Sequence, residues 1–146
     1  MPFDQGPFLS AAVICEKVLV EQDNVKSAIR IIDRVMHTVQ RPDAPLEMQP
    51  FQCEVALFLQ FKAGRARGPH RLSVMMLKPS GETQATWDQP LHFEGEDDRG
   101  VDVIATLKLL LEMQGPYWFR VAIDDELVTR IPLRVIYLPA GQRRPA

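Results

Sequence analysis

The stretch Phe51-Gln-Cys-Glu-Val-Ala-Leu-Phe-Leu-Gln-Phe61 decides the fold. Every odd position is apolar: Phe51, Cys53, Val55, Leu57, Leu59 and Phe61. The even positions are Gln52, Glu54, Ala56, Phe58 and Gln60. Side chains alternate across a strand, so this period of two describes a strand with one face on a core. The pattern returns in Val101, Val103, Ala105, Leu107, Leu109 and Leu111. Leu107–Met113 is also rich in helix formers, but the unbroken alternation and the Val-rich start favour strand.

Working outward, the C-terminal third reads as a hairpin. Tyr117, Phe119, Val121 and Ile123 alternate with Trp118, Arg120 and Ala122. Asp124-Asp125-Glu126 supplies the turn, because Asp tolerates turn geometry and bonds its own backbone. Leu127, Thr129, Ile131, Leu133, Val135 and Tyr137 run back, with Pro132 marking an edge, a bulge or a strand start. Arg71–Lys78 is a further strand, and Thr83–Phe93 holds one or two, broken at Pro90. Gly95–Gly100 is a loop, and Arg41–Pro50, with three prolines, is a connector.

The N-terminal part begins with a strand over Leu9–Val20 that has room for a bend near Glu16. Asn24–Val39 fits a helix through Val25, Ile29, Ile32 and Met36, or a strand through Ile29, Ile31, Asp33 and Val35. Its β-branched residues favour strand. A hairpin about Asp23-Asn24, with paired numbers summing to about 50, sets Lys17 opposite Asp33 and Glu16 opposite Arg34. Lys17 and Asp33 then form a structural ion pair on an apolar face, fixing register. The expectation is an all-β, antiparallel β-sandwich of about eight strands, immunoglobulin-like or C2-like. Residues 1–146 make one domain, with 1–7 and 140–146 as flexible termini.

Composition narrows the class of function. Lys and Arg number 17 and Asp and Glu 19, so the net charge is 17 − 19 = −2. That balance argues against a nucleic-acid binder, which usually carries a strongly basic domain. The N-terminus does not resemble a secretory signal. No apolar run approaches the roughly 20 residues of a membrane helix. The expected compartment is the cytoplasm, with Cys15 and Cys53 as buried free thiols.

The segment Ser10-Ala-Ala-Val-Ile-Cys-Glu-Lys-Val-Leu19, with Ser27-Ala-Ile-Arg-Ile-Ile-Asp-Arg-Val35, resembles the opening of a family of small uncharacterised bacterial proteins. The ending Gly115-Pro-Tyr-Trp-Phe-Arg-Val121 and Ile123-Asp-Asp-Glu-Leu-Val-Thr-Arg-Ile-Pro-Leu-Arg-Val135 is similar too. The resemblance spans residues 8–138. It implies a β-sandwich and a bacterial source, and no activity.

Motifs for chemistry are sparse. His37, His70 and His92 lie in three segments without ligand spacing. Ser10, Ser27, Ser73 and Ser80 lack the Gly-x-Ser-x-Gly elbow. Gly64–Gly68 lacks the Lys-Ser/Thr of a phosphate loop. The expectation is no enzyme and no cofactor. Two charged loops stand out. Arg65 and Arg67 sit on a Gly-rich loop suited to carboxylates or phosphates. Glu94, Glu96, Asp97, Asp98 and Asp102 cluster within nine residues and offer a calcium-binding alternative. The leading candidate is Trp118. It faces away from Tyr117 and Phe119, and the hairpin brings Arg120, Arg130 and Arg134 to its side. Trp beside Arg is the composition of interaction hot spots. The expected function is binding another protein; the chain can also form a homo-oligomer.

Overall fold

The computed structural model describes residues 5–139. Nine strands fill it: β1 (Phe8–Val20), β2 (Lys26–Ile31), β3 (Arg34–Val39), β4 (Phe51–Lys62), β5 (Gly68–Leu77), β6 (Thr83–Phe93), β7 (Gly100–Leu111), β8 (Gly115–Ile123) and β9 (Glu126–Pro139). They form a four-stranded sheet, β2-β1-β4-β7, and a five-stranded sheet, β3-β9-β8-β5-β6. The alternation read from the sequence is the reason. Val55, Leu57, Leu59 and Phe61 of β4 are at most 2% exposed, and so are Tyr117, Phe119 and Val121 of β8. These side chains from both sheets belong to one apolar cluster, which also takes in Leu72, Leu107, Leu133 and Val135. Fully burying a side chain of this size contributes about 1.5–3 kcal/mol, so this cluster is the main stabilising element.

Three expectations need correction. Residues 24–39 are two strands, which raises the count from about eight to nine. Ile32 and Asp33 carry the chain from one sheet to the other, and Ile32 packs on the core on the way. The chain crosses without reversing direction, so β3 runs parallel to β9 (Arg34↔Arg134 through Val39↔Pro139) and the assembly is not wholly antiparallel. Third, Lys17 and Asp33 do not pair. The β1–β2 numbers sum to 46, with Lys17 opposite Ile29. The turn spans Glu21–Val25, with hydrogen bonds from Glu21 N to Val25 O (2.8 Å) and from Asn24 N to Glu21 O (2.9 Å). The partner of Lys17 is therefore four residues earlier than Asp33. Glu16 therefore meets Arg30 at 2.8 Å, not Arg34, and Asp33 lies beside Arg34 at 3.3 Å.

Thr83–Phe93 is one continuous strand, because β6 is an edge strand and Pro90 costs it no interior ladder bond. Of the termini, residues 1–4 and 140–146 lie outside the described region. Residues 5–7 are docked: Gln5 O accepts from Arg65 N at 2.6 Å, and Gly6 lies against Gly64 so closely that a Cβ on Gly6 would stand 2.9 Å from the Gly64 Cα. No helix of the described residues is long and apolar enough to cross a membrane.

The bend in β1 has a large effect. β1 pairs with β4 as far as Cys15↔Ala56 and with β2 from Cys15 to Val20. Ala11 is level with Gln60, and Gln60 with Asp102 of β7. Lys26 is level with Val20, nine residues along β1 from Ala11. A straight strand would separate those two levels by about 30 Å at roughly 3.3 Å per residue. Yet Lys26 Nζ lies 2.9 Å from Asp102 Oδ2. The β1–β2 hairpin therefore folds back as an arm over the outer face of the four-stranded sheet. Arg30 sits at the fold with φ 57°, the left-handed region. The arm explains why Ala56 and Phe58, on the side of β4 away from the core, are 4% and 9% exposed.

Candidate interaction surface

The outer face of the five-stranded sheet collects the side chains that alternation turns away from the core. Trp118 of β8 stands opposite Pro132 of β9 and Leu77 of β5. One step along, Arg120 stands directly opposite Arg130, and Pro116 opposite Arg134. Trp118 is half-buried and the three arginines are exposed. The Arg130 guanidinium carbon lies 5.1 Å from the Trp118 ring centroid, a cation–π contact that keeps the ring partly covered. On the far side of β9, Arg134 is level with Arg34 of β3. The four residues grouped from the sequence are thus brought together.

The electrostatics of this face are one-sided. Like charges directly opposite on neighbouring strands destabilise a sheet. Arg120 and Arg130 are such a pair, and among the described residues neither has a carboxylate within ion-pair distance; nor has Arg134. Packing gives no reason for this arrangement, because Tyr117, Phe119 and Val121 already fill the inner face of the same strand. Such a surface can receive carboxylates beside an apolar group.

The other predicted residues separate. Arg65 is exposed on the β4–β5 loop. Arg67, on the same loop, is internally engaged. It donates to Gly64 O (2.6 Å), Ala66 O (2.7 Å) and Asp97 Oδ1 (2.7 Å), which ties its loop to the acidic β6–β7 loop. Of the acidic group, Asp97 is thus held by Arg67, Glu94 lies 3.8 Å from His92, and Asp102 binds Lys26 of the arm. Glu96 and Asp98 are exposed. Among the described residues no three His, Cys, Asp or Glu side chains converge on a metal position. Partial burial opposes ionisation of Asp102, but hydrogen bonds from Lys26 and Gln60 and the nearby Lys62 outweigh it and hold its carboxyl below the usual range. Burial pushes both thiols, Cys15 and Cys53, up, and both are free.

One arrangement escaped sequence reasoning. His70 Nδ1 lies 2.5 Å from Asp124 Oδ2, and the imidazole edge meets the Phe93 ring at 5.3 Å. Asp124 Oδ1 accepts from Arg71 N at 2.9 Å, Asp124 N donates to Arg71 O at 2.9 Å, and Asp125 pairs with Arg71. The bond from the Arg71 amide, then that from His70, hold the Asp124 carboxyl below the usual range. The pair borders a cavity of about 630 Å³ between Gln5–Leu9 and Glu126–Val128. All of Asp124's acceptors serve to fasten the β8–β9 turn onto β5. The Asp124-Asp125 dipeptide was legible as a turn, but its contact with His70, 54 positions earlier, carried no local signal.

No curated protein matches the chain. A family model, described as a family of unknown function (DUF6941), matches residues 10–136. The chain, whose alternating strands and opposing arginines run through that match, therefore belongs to the DUF6941 family.

Proposed function

We propose that this protein is a non-enzymatic binding module of the bacterial cytoplasm that docks an acidic segment of another protein on the Trp118 face. The framework is a β-sandwich, immunoglobulin-like or C2-like; the apolar cluster common to both sheets supports the sandwich. The free thiols Cys15 and Cys53 favour a reducing compartment. One observation carries the function: Arg120 directly opposite Arg130 beside a half-buried Trp, with no carboxylate among the described residues within ion-pair distance of either. A partner's carboxylates would relieve that repulsion, and charge-assisted bonds to Arg are among the strong ones. The ring of Trp118 supplies the apolar anchor.

The test uses a fluorescent Glu-rich peptide with interspersed Leu, and its Lys-rich counterpart. The Glu-rich peptide should bind and lose affinity as salt rises. Trp118→Ala should weaken binding by about 30-fold, the equivalent of about 2 kcal/mol, and leave the thermal melt unchanged. Arg120→Glu with Arg130→Glu should abolish binding. Equal binding of both peptides, or binding indifferent to these changes, refutes the reading.

A further inference from the structure

Four strands lie at sheet edges, and three of them are blunted. β2 is folded into the arm and kinked at Arg30, β3 has only six residues, and β6 contains Pro90 and a register irregularity opposite Met76/Leu77. β7 has none of these protections. It pairs with β4 without interruption from Phe51↔Leu111 to Lys62↔Gly100 and contains no proline. A long, regular, apolar edge of this kind is a template for another strand.

The direction of its free groups can be read off. Gln84 of β6 donates to Leu110 O at 2.7 Å. β6 belongs to the other sheet, so the Leu110 carbonyl points away from β4. With the two-residue period of an antiparallel ladder, the backbone groups of Asp102, Ile104, Thr106 and Lys108 point the same way. Beside this edge, between β6 and β7, a cleft of about 260 Å³ opens onto core side chains, with Trp87 on one lip and Leu107 on the other.

We propose that β7 pairs antiparallel with β7 of a second copy, about a two-fold axis through Ala105. An isologous contact must be complementary to itself. In this register Asp102 faces Lys108 of the other copy, twice. Ile104 faces Thr106, and the small Ala105 faces itself at the axis. The even residues, whose backbone groups are free, form the hydrogen-bonded pairs. A slip of two residues sets Asp102 opposite Thr106 or Leu110 and loses both charge pairs; a slip of one loses the hydrogen bonds. Lys108 is already level with Glu54 of β4, so charges alternate across the joined sheets. The facing Val103 and Leu107 extend the apolar row along the cleft.

Sedimentation equilibrium of the full chain should show a concentration-dependent dimer. Lys108→Glu and Asp102→Lys should each weaken it at least tenfold, because each sets like charges face to face. Mixed in equal amounts, the two variants should dimerise again as a heterodimer. Asp102→Lys also disturbs the arm, so a second variant tests the register alone. Ala105→Cys should give a covalent dimer under mild oxidant, since only residue 105 faces itself, while Val101→Cys and the unmodified chain should not. A monomer at all concentrations to about 1 mM overturns the proposal. So does a dimer indifferent to Lys108→Glu, or a β7 edge that gains hydrogen-exchange protection only when an unrelated extended peptide is added.

Discussion

Replacing Lys26 by Met should release the arm that covers the four-stranded sheet. The ammonium lies 2.9 Å from Asp102 Oδ2, and the two side chains are 17% and 19% exposed. A fully solvated pair would contribute about 0–1 kcal/mol, and breaking a fully buried one would cost about 3–5 kcal/mol. A pair one-fifth exposed falls between, near the 1.5–3 kcal/mol of a charge-assisted hydrogen bond. At about 2–4 °C per kcal/mol for a domain of this size, the melting temperature should fall by about 3–12 °C. Urea denaturation measures the loss, and hydrogen exchange locates it in residues 17–29. Adding Asp102→Leu should recover much of it, because no partly buried charge is then left alone. Acid supplies an independent check. The folded-state pKa of Asp102 lies below its ordinary value, so the stabilisation is complete above the ordinary carboxylate range. It is lost as the pH falls through the depressed pKa, and Lys26→Met should flatten that limb. A loss below about 0.5 kcal/mol, with exchange of the arm unchanged, would refute the idea that this pair fastens it.

Tyr117→Phe should destabilise by about 1–3 kcal/mol in urea melts. The Tyr117 hydroxyl accepts from the amides of Glu112 (3.0 Å) and Met113 (3.2 Å), and Phe would leave both without a partner at the β7–β8 turn. Asp124→Asn should destabilise at neutral pH and soften the acid limb. Its depressed folded pKa supplies stability above the ordinary carboxylate range that disappears as the pH falls through the depressed value; superimposable acid limbs would contradict this. Reductant should leave the melting temperature of the wild type unchanged, since both thiols are free. Cys15→Ala should lose packing alone, about 0.5–3 kcal/mol by calorimetry.

Much of this architecture is written in period-two alternation. Phe51–Phe61, Val101–Leu111 and Tyr117–Ile123 announced both their strands and their inner faces, and the half-buried Trp118 followed from its buried neighbours. Alternation fails where a strand changes sheets. Ile29 and Ile31 are exposed on the arm at 38% and 62%, while Ile32, one position on, packs on the core. Four β-branched residues in that run look alike in sequence, and only the long-range partner β9 distinguishes them. The β1–β2 register depends on how many residues the Glu21–Val25 turn consumes, which side-chain pattern does not reveal. The shift is even, so Glu16 still meets an arginine across the ladder, Arg30 in place of Arg34. Arg67 looked like a surface charge because its acceptors, two loop carbonyls and Asp97, are set by loop geometry.

The parallel pairing of β3 with β9 also sets a timetable for synthesis. The strands of the four-stranded sheet are all made once Leu111 has left the ribosome. The five-stranded sheet must wait longer, because β9, which joins β3 to β8, is the last of the nine strands to be translated. Val39, the end of β3, precedes its partner Pro139 by 139 − 39 = 100 residues. At about 5–20 residues per second, β3 waits roughly 5–20 s without a ladder. Throughout that interval Val35 and Val39, side chains destined for the core, have no sheet to hold them. A nascent chain stopped before Arg134 would therefore carry one sheet's full complement of strands beside a second that lacks its keystone.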